Sequence, residues 1–438
     1  MPNAQDRQGL GMSGADSDCA EAYDRSCEDF LCYRGDPIGR MKKALAARPN
    51  FVMGYLFIAL LNLTGMEPKS FRRAARKLDQ AEAYPMNGRE RLLLAAGRAY
   101  AAGRFHQALQ RIETLLLEWP RDILALQLGQ LLDFYRGDSR SLRDRVARRL
   151  QAWSPEDPAY HGVLGLHAFG LEESGLYAQA EAAGQAAIGF NPENAWAAHA
   201  VAHVYEMQAR PDAGIAWLRG TQEGWTRDNF FQVHNWWHLA LCHLERDEEA
   251  KALALYDGPI RAAWNNVVLE LTDASSLLWR LHLRGNGAGD RWQAAGEAWL
   301  PFVESDIHAF NTLHAVMAFL ALGWEKELDA LVARMEACAA GDADNAAMER
   351  LVGLPLARGF TAFQRGDYET TIAALIDLRG PAQHFGGSHA QRDIIDLTLL
   401  EAAARAPNRR LLEALVAERA ALRAGSGWVR RYREAGIA

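Results

Sequence analysis

The amino-acid sequence predicts an all-α protein built from repeated pairs of helices. Ala, Leu, Glu and Arg are abundant, and no segment alternates apolar and polar residues for long enough to indicate a strand. A second observation is a spacing of small, aromatic and proline residues that occurs more than once along the chain and is typical of a helical repeat of about 34 residues. A third is that the 438-residue chain, 49% hydrophobic, can bury an extended core. Together these observations favour a stack of helix pairs.

The repeat spacing is clearest in two segments of the chain. In each, a glycine at a turn is followed by an aromatic residue, by small or apolar residues where two helices cross, and by a proline that ends the second helix. The two sets are Gly103, Phe105, Ala108, Leu115 and Pro120, and Gly175, Tyr177, Ala180, Ala187 and Pro192. Gly366 and Tyr368 begin a third copy. This is the spacing of a tetratricopeptide repeat, so we expect a tetratricopeptide-like superhelix, an α-solenoid with a concave pocket.

The repeats suggest three divisions of the chain. We expect residues 1–36 to form an irregular N-terminal lead-in, residues 37–422 a single helical-repeat domain, and residues 423–438 a C-terminal tail. A further turn is predicted around Ala209, and no low-complexity linker separates independent domains.

Composition argues against several classes of protein. The net charge is −7 and charges of both signs are interspersed, which disfavours a nucleic-acid binder with a basic face. The longest apolar stretch, Phe51–Met66, is shorter than the roughly 18 residues that a membrane span needs, and the polar N-terminus does not resemble a secretory signal. The five cysteines match no CxxC spacing, as expected of reduced thiols. We therefore predict a cytoplasmic protein that binds neither nucleic acid nor membrane, with its oligomeric state left open.

Histidines and carboxylates concentrate in the centre of the chain. His199, His203 and Glu206 follow an i, i+4, i+7 spacing, which places them on one stripe of a helix. A buried polar group without a partner costs about 1–3 kcal/mol, so such a stripe needs a partner or a ligand. The repeat register turns this stripe away from the packing positions Ala202 and Tyr205 and towards the concave surface, where helical repeats bind ligands.

A second helix carries a similar stripe. His234, His238 and Glu245 are spaced i, i+4, i+11, and the adjacent Trp236 and Trp237 must point in different directions. One indole is expected to pack in the core, while Trp237 offers a flat surface to a ligand. The sequence predicts that five residues converge in one pocket as the catalytic set: His199, His203, Glu206, His234 and His238.

Later helices carry isolated polar residues on apolar backgrounds. Asp273 needs a partner, which we expect to be Arg280, a histidine or a ligand. His314, His389 and Arg392 add further polar groups, and Arg392 could bind a carboxylate or phosphate bidentately or pair with a neighbouring aspartate. With Trp237 and Glu245, these five residues form the predicted substrate-binding set.

Several long blocks resemble one known family. They are HAVAHVYEMQAR from His199, HNWWHLALCHLE from His234, LTDASSLLWRLHLRG from Leu271, GDRW from Gly289, FNTLHAVMA from Phe310 and GGSHAQRD from Gly386. In these blocks the chain is similar to the tetratricopeptide repeat protein 38-like family, and the similarity covers nearly the whole chain. Ala209 stands where such proteins tend to have glycine, and Thr312 where an acidic residue is usual. The resemblance implies an α-helical repeat fold and a cytoplasmic setting, and it carries no settled activity.

The histidine stripes leave three interpretations open. They could be ligands of a divalent metal, zinc or iron, with His199, His203 and His238 as the candidates. They could be an acid–base site, or hydrogen-bonding groups that hold helices together. No HExxH, GxSxG or Walker motif is present. The concentration of polar groups favours an enclosed pocket that binds a small polar molecule, anionic or zwitterionic, and transforms it by acid–base or metal-assisted chemistry of hydrolase or lyase type. The alternative is a non-enzymatic scaffold that binds a peptide or protein.

Overall fold

The computed structural model of the chain describes residues 4–436. Within this range the secondary structure is helical, with isolated β-bridges between Gln5 and Gly11 and between Arg34 and Asn229 but no strand. The predicted all-α, tetratricopeptide-like helical-repeat fold is therefore confirmed. No helix in the described part of the chain has the length and apolar character needed to cross a bilayer.

The helices are numbered in chain order. The first thirteen are α1 (Ser17–Cys32), α2 (Pro37–Ala47), α3 (Val52–Leu63), α4 (Pro68–Glu82), α5 (Gly88–Ala101), α6 (Phe105–Glu118), α7 (Ile123–Tyr135), α8 (Ser139–Ala147), α9 (Tyr160–Glu172), α10 (Tyr177–Phe190), α11 (Ala195–Met207), α12 (Pro211–Gly220) and α13 (Gln222–Thr226). The others are α14 (Gln232–Glu245), α15 (Glu249–Leu255), α16 (Val268–Leu283), α17 (Arg291–Trp299), α18 (Ala309–Leu322), α19 (Glu325–Ala339), α20 (Asp344–Met348), α21 (Leu354–Gln364), α22 (Tyr368–Ile376), α23 (His389–Arg405), α24 (Arg409–Leu422) and α25 (Gly427–Glu434).

The helices form two compact units. The first unit comprises Met1–Val201 and Thr221–Phe231, and the second comprises Ala202–Gly220 and Gln232–Ala438. The boundary thus falls within α11. The expectation of a single domain over residues 37–422 stays a prediction.

The predicted repeat turns are present in both units. Gly103 joins α5 to α6 and Gly175 joins α9 to α10 in the first unit, while Gly366 joins α21 to α22 in the second. All three have φ between 71° and 78°, a left-handed conformation that glycine adopts without strain. The two helices of each pair pack against each other, as the repeat predicts.

Two segments expected to lie outside the repeats also contain helices. In the lead-in, the Asp16 side chain accepts a hydrogen bond from the Cys19 N–H and caps α1, whose buried face includes Tyr23 and Phe30. In the tail, α25 buries Trp428. Both helices are amphipathic, with one buried face and one polar outer face.

The second unit is organised around α16. This helix is buried over most of its length, and it packs against α14, α18 and α23. Trp279 and Trp299 anchor it, since the Trp279 indole donates to Thr398 at 3.1 Å and the Trp299 indole donates to Ser275 at 2.9 Å. A helix with this much buried surface holds its polar side chains in fixed positions, which matters for Asp273 and Arg280.

Candidate functional site

Two buried histidines of α14 each pair with a carboxylate from another helix. His234 Nδ1 lies 2.9 and 2.8 Å from the two carboxylate oxygens of Asp273 on α16. His238 Nδ1 lies 2.9 Å from Glu206 Oε2 on α11. Asp273 therefore has a histidine as its partner, one of the possibilities that the sequence left open.

The two pairs meet through their other ring nitrogens. His238 Nε2 lies 3.2 Å from His234 Nε2, so a continuous chain of hydrogen-bond distances runs from Glu206 through both imidazoles to Asp273. If both Nδ1 atoms donate to ionised carboxylates, both Nε2 atoms are acceptors and their lone pairs repel. The contact is favourable only if a proton or a cation lies between the two nitrogens.

Burial determines which of these four hydrogen-bonded side chains carry a proton. It raises the pKa of Glu206 to about 7, against the opposing effect of His203 and nearby arginines. It also raises the pKa of Asp273, with His234 opposing, and holds the pKa of His238 well below its usual value. Protonated Glu206 would donate to His238 Nδ1, His238 Nε2–H to His234 Nε2, and His234 Nδ1–H to Asp273. Every donor then has an acceptor.

A third imidazole, that of His203, lies next to these hydrogen-bonded side chains. The His203 and His238 ring centroids are 4.4 Å apart, and His203, His234 and His238 each offer a ligand nitrogen, all within 4.8 Å of one another. We call His203, His234, His238, Glu206 and Asp273 the imidazole centre. All five are at most 8% exposed. The side chains of the first stripe, which the sequence predicts to face the concave surface, are buried.

Trp237 covers one side of the imidazole centre. Its indole stacks on His234 with centroids 5.2 Å apart and meets His238 edge-on at 4.7 Å. The Trp237 Nε1–H is buried and has no hydrogen-bond partner among the described residues. The neighbouring Trp236 points elsewhere, with Arg219 over its ring at 5.3 Å. This matches the expectation that the two indoles diverge.

Arg280 is a buried cation next to Trp237. Its guanidinium lies 5.5 Å from the centroid of the Trp237 ring, donates to the Ala390 carbonyl at 2.7 Å, and bonds both oxygens of Ser276. These acceptors are all neutral. Burial lowers the pKa of Arg280, while Asp393 and Glu206 oppose this effect through Coulomb interactions alone.

His314 on α18 is a second buried group with an unused atom. Its Nδ1 donates to the Phe310 carbonyl at 2.8 Å, which leaves Nε2 as an acceptor without a partner among residues 4–436. Burial lowers the pKa of His314 to about 4, so the ring is neutral.

Other predicted site residues make different contacts. Glu245 accepts a hydrogen bond from the Gly427 N–H at 2.6 Å and lies 3.7 Å from Arg419. Arg392 donates to the carbonyls of Gly386 and Gly387. Its neighbour Asp393 instead pairs with Arg419 at 2.8 and 3.0 Å. His389 is half-buried at the start of α23.

His199 lies one turn before His203 on α11 and belongs to the first unit. Its ring contacts there are with Phe169, Trp196 and Phe231, at centroid distances between 4.9 and 5.2 Å. Its role in a common pocket stays a prediction.

The sequence did not point to two further polar clusters. In the first unit, His161 Nε2 lies 2.9 Å from Glu28 Oε1, and Cys32 completes a group that could hold a metal ion. In the second unit, buried Glu349 lies 2.9 Å from the Thr312 hydroxyl. The members of each pair are 133 and 37 residues apart, so no local spacing signals either one.

Comparison with known proteins adds a distant likeness. No protein-family model matches the chain. Among solved structures, the chain is similar to one titled as the crystal structure of the APC/C hetero-tetramer Cut9–Hcn1, with 14% identity and a TM-score of 0.37. The match covers 87% of this chain and 76% of that one. A likeness at this level says nothing about what the chain binds. The helix pairs and their turns themselves define a tetratricopeptide-like helical-repeat protein.

Proposed function

We propose that the imidazole centre of the second unit binds a small anionic or zwitterionic molecule and transfers protons to or from it. The observation that carries this proposal is the facing contact of two carboxylate–imidazole pairs, His234 with Asp273 and His238 with Glu206. A structural core gains little from two such pairs, because desolvating their ionised forms costs several kcal/mol. A proton-transfer site uses them directly.

The charge of the ligand is inferred from Arg280. Among residues 4–436, this buried guanidinium contacts only neutral oxygens, as hydrogen-bond acceptors, and the face of Trp237. An anion close to Arg280 would supply the direct counter-charge that its hydrogen bonds lack. The Trp237 Nε1–H and His314 Nε2, which have no hydrogen-bond partner in the described part of the chain, offer one further donor and one acceptor. A zwitterion such as an amino acid would offer a carboxylate to the donors, Arg280 and Trp237, and an ammonium group to the acceptor, His314.

The chemistry proposed for the centre is general acid–base catalysis. Glu206, with a pKa of about 7, can exchange a proton near neutral pH, and His238 links it to His234 and Asp273. Many hydrolase and lyase reactions use such a group as general acid or base. His199, His389 and Arg392 keep their predicted roles as proposals, together with a cytoplasmic location and membership of the tetratricopeptide repeat protein 38-like family, which the sequence blocks support.

One observation favours the second candidate, a protein-binding scaffold. A cavity of about 370 Å³ in the first unit is lined by four basic residues and by no acidic one: Lys42, Arg73, Arg76 and Lys77. Burial, with Lys42 and Arg76 close by, lowers the pKa of Lys77. Such a cavity suits an acidic peptide. The two functions lie in different units and are compatible.

Calorimetry on the full-length chain after removal of metals tests the proposal. Glutamate, succinate and inorganic phosphate are the probes, and at least one is expected to bind. Asp273→Asn should weaken that binding at least tenfold, because the neutral amide no longer orients and polarises His234. His243→Ala is the matched control, since His243 lies on the same helix but pairs with Glu248 at 2.6 Å.

Two outcomes would count against the small-molecule function. One is that none of the three probes binds and that native mass spectrometry detects no retained small molecule. The other is that Asp273→Asn and His243→Ala weaken binding equally. Binding of a glutamate-rich peptide that is lost in a Lys42→Glu, Arg76→Glu double variant would then support the scaffold instead.

A further inference from the structure

Three imidazole nitrogens lie close together within the second unit. They belong to His203 on α11 and to His234 and His238 on α14, and each residue can direct one nitrogen at a common point. We propose that these three histidines bind one divalent zinc-type ion. The inference rests on the proposed function in that it assigns a cofactor to the imidazole centre, but its test is independent of any small ligand.

The spacing of the nitrogens fits a shared metal. Two ligands at about 2.0–2.1 Å from a tetrahedral zinc ion lie roughly 3.3 Å apart. The separation of His234 Nε2 and His238 Nε2 is 3.2 Å. The His203 nitrogen lies within 4.8 Å of both, so a small rotation of this one side chain would complete a three-histidine set.

The carboxylates occupy the positions expected around a metal site. Metal-bound histidines usually donate their second ring N–H to a carboxylate, which fixes the ring and makes the ligand nitrogen more basic. With a metal ion bound, Asp273 would accept the Nδ1–H of His234 and ionised Glu206 would accept that of His238, because each carboxylate lies against Nδ1 and the two Nε2 atoms face each other. A cation between the two Nε2 atoms also removes the repulsion of their lone pairs.

The donor set selects the kind of metal. Three imidazoles suit zinc and related first-row transition ions, whereas Mg²⁺ and Ca²⁺ prefer oxygen ligands. Trp237, stacked on His234 and edge-on to His238, limits the space beside these two ligands.

The test measures metal binding directly. The full-length chain is stripped with a chelator and titrated with Zn²⁺ in competition with a coloured chelator, and in parallel with Co²⁺, whose visible absorption distinguishes tetrahedral from octahedral coordination. We expect one ion per chain and the strong absorption of tetrahedral Co²⁺. His238→Ala should abolish this site. Asp273→Asn, which keeps the three ligands, should weaken metal affinity by about 10–100-fold. His243→Ala should bind as the wild type does.

Each possible result decides the matter. The wild type alone can overturn the metal site: it does so if it does not bind one ion saturably, or if bound Co²⁺ gives an octahedral spectrum. Equal loss in His238→Ala and His243→Ala would overturn the assignment to these residues. If His238→Ala does not fold, as judged by circular dichroism, the wild-type spectrum and Asp273→Asn decide. If the chain binds zinc but none of the three anionic probes, the metal site stands and the proposed function is rejected. If the chain binds a probe but no zinc, the proposed function stands and the metal site is rejected.

Discussion

Glu349 offers a quantitative test of the electrostatics of the second unit. The residue is fully buried after α20, in the π-helical turn Glu349–Gly353. Its Oε1 lies 2.9 Å from the Thr312 hydroxyl, which also lies 2.9 Å from the Ala309 carbonyl and has only one proton to donate. Its Oε2 has no hydrogen-bond partner among the described residues. A protonated Glu349 that donates to Thr312 would resolve this conflict.

The energetic consequence follows from the pKa. Burial raises the pKa of Glu349 from 4.5 to about 7. The folded chain therefore binds more protons than the unfolded chain between these values, so the free energy of unfolding falls as the pH rises through this window. Above it, ionised Glu349 destabilises the folded state by about 3 kcal/mol. Below pH 4.5 the penalty is absent.

Glu349→Gln should remove this pH dependence. The variant is expected to have an unfolding free energy close to the wild-type value at about pH 4.5 and up to about 3 kcal/mol higher at about pH 8. Urea unfolding followed by circular dichroism across this range measures the difference. Glu336→Gln is the control, because Glu336 is exposed and lies 4.0 Å from the exposed Arg358. The reasoning is refuted if the advantage of Glu349→Gln does not grow with pH.

Substitutions at three further positions test other features of the fold by chemical denaturation. Asp393→Ala should lower the free energy of unfolding by about 3–5 kcal/mol, because it leaves the buried Arg419 without its bidentate partner. Asp393→Asn should lower it by less. Equal small losses in the two variants would contradict a buried ion pair. Trp237→Phe keeps most of the ring packing and removes an N–H that has no partner within residues 4–436. Its free energy of unfolding should fall by less than about 1.5 kcal/mol, against about 3–5 kcal/mol for Trp237→Ala. A large loss in the phenylalanine variant would mean that the indole N–H has a partner. Ala209 has a φ of 51°, so Ala209→Gly should stabilise by up to about 1 kcal/mol, and a lower melting temperature would argue against backbone strain there.

Local spacing explains why the helix pairs and part of the imidazole centre could be predicted from the sequence. The i, i+4 spacing of His234 and His238 fixes their common face, and the turn glycines Gly103 and Gly175 fix the helix pairs. In each case the residues that form the signal are close together in the sequence. Such local signals do not depend on how the helices pack in the folded protein.

Contacts between distant segments could not be predicted in the same way. A shared stripe sets direction around a helix but not position along it: Glu245 is eleven residues beyond His234, about 16 Å at 1.5 Å per residue. Glu245 instead meets Gly427. The pairing of His234 with Asp273 depends on how α14 crosses α16, which side-chain packing determines. The sequence could only narrow the partner of Asp273 to a few residue types.

The bond between the Gly427 N–H and the Glu245 carboxylate has a consequence for folding during synthesis. In most repeat proteins each helix pair meets only its neighbours, so structure can form as the chain emerges. Here a contact that spans 182 residues joins α14 to α25. At a synthesis rate of about 5–20 residues per second, Glu245 waits roughly 10–40 s for Gly427. During that interval α14 lacks this contact, so the second unit cannot be complete until the last helix of the described chain has been made.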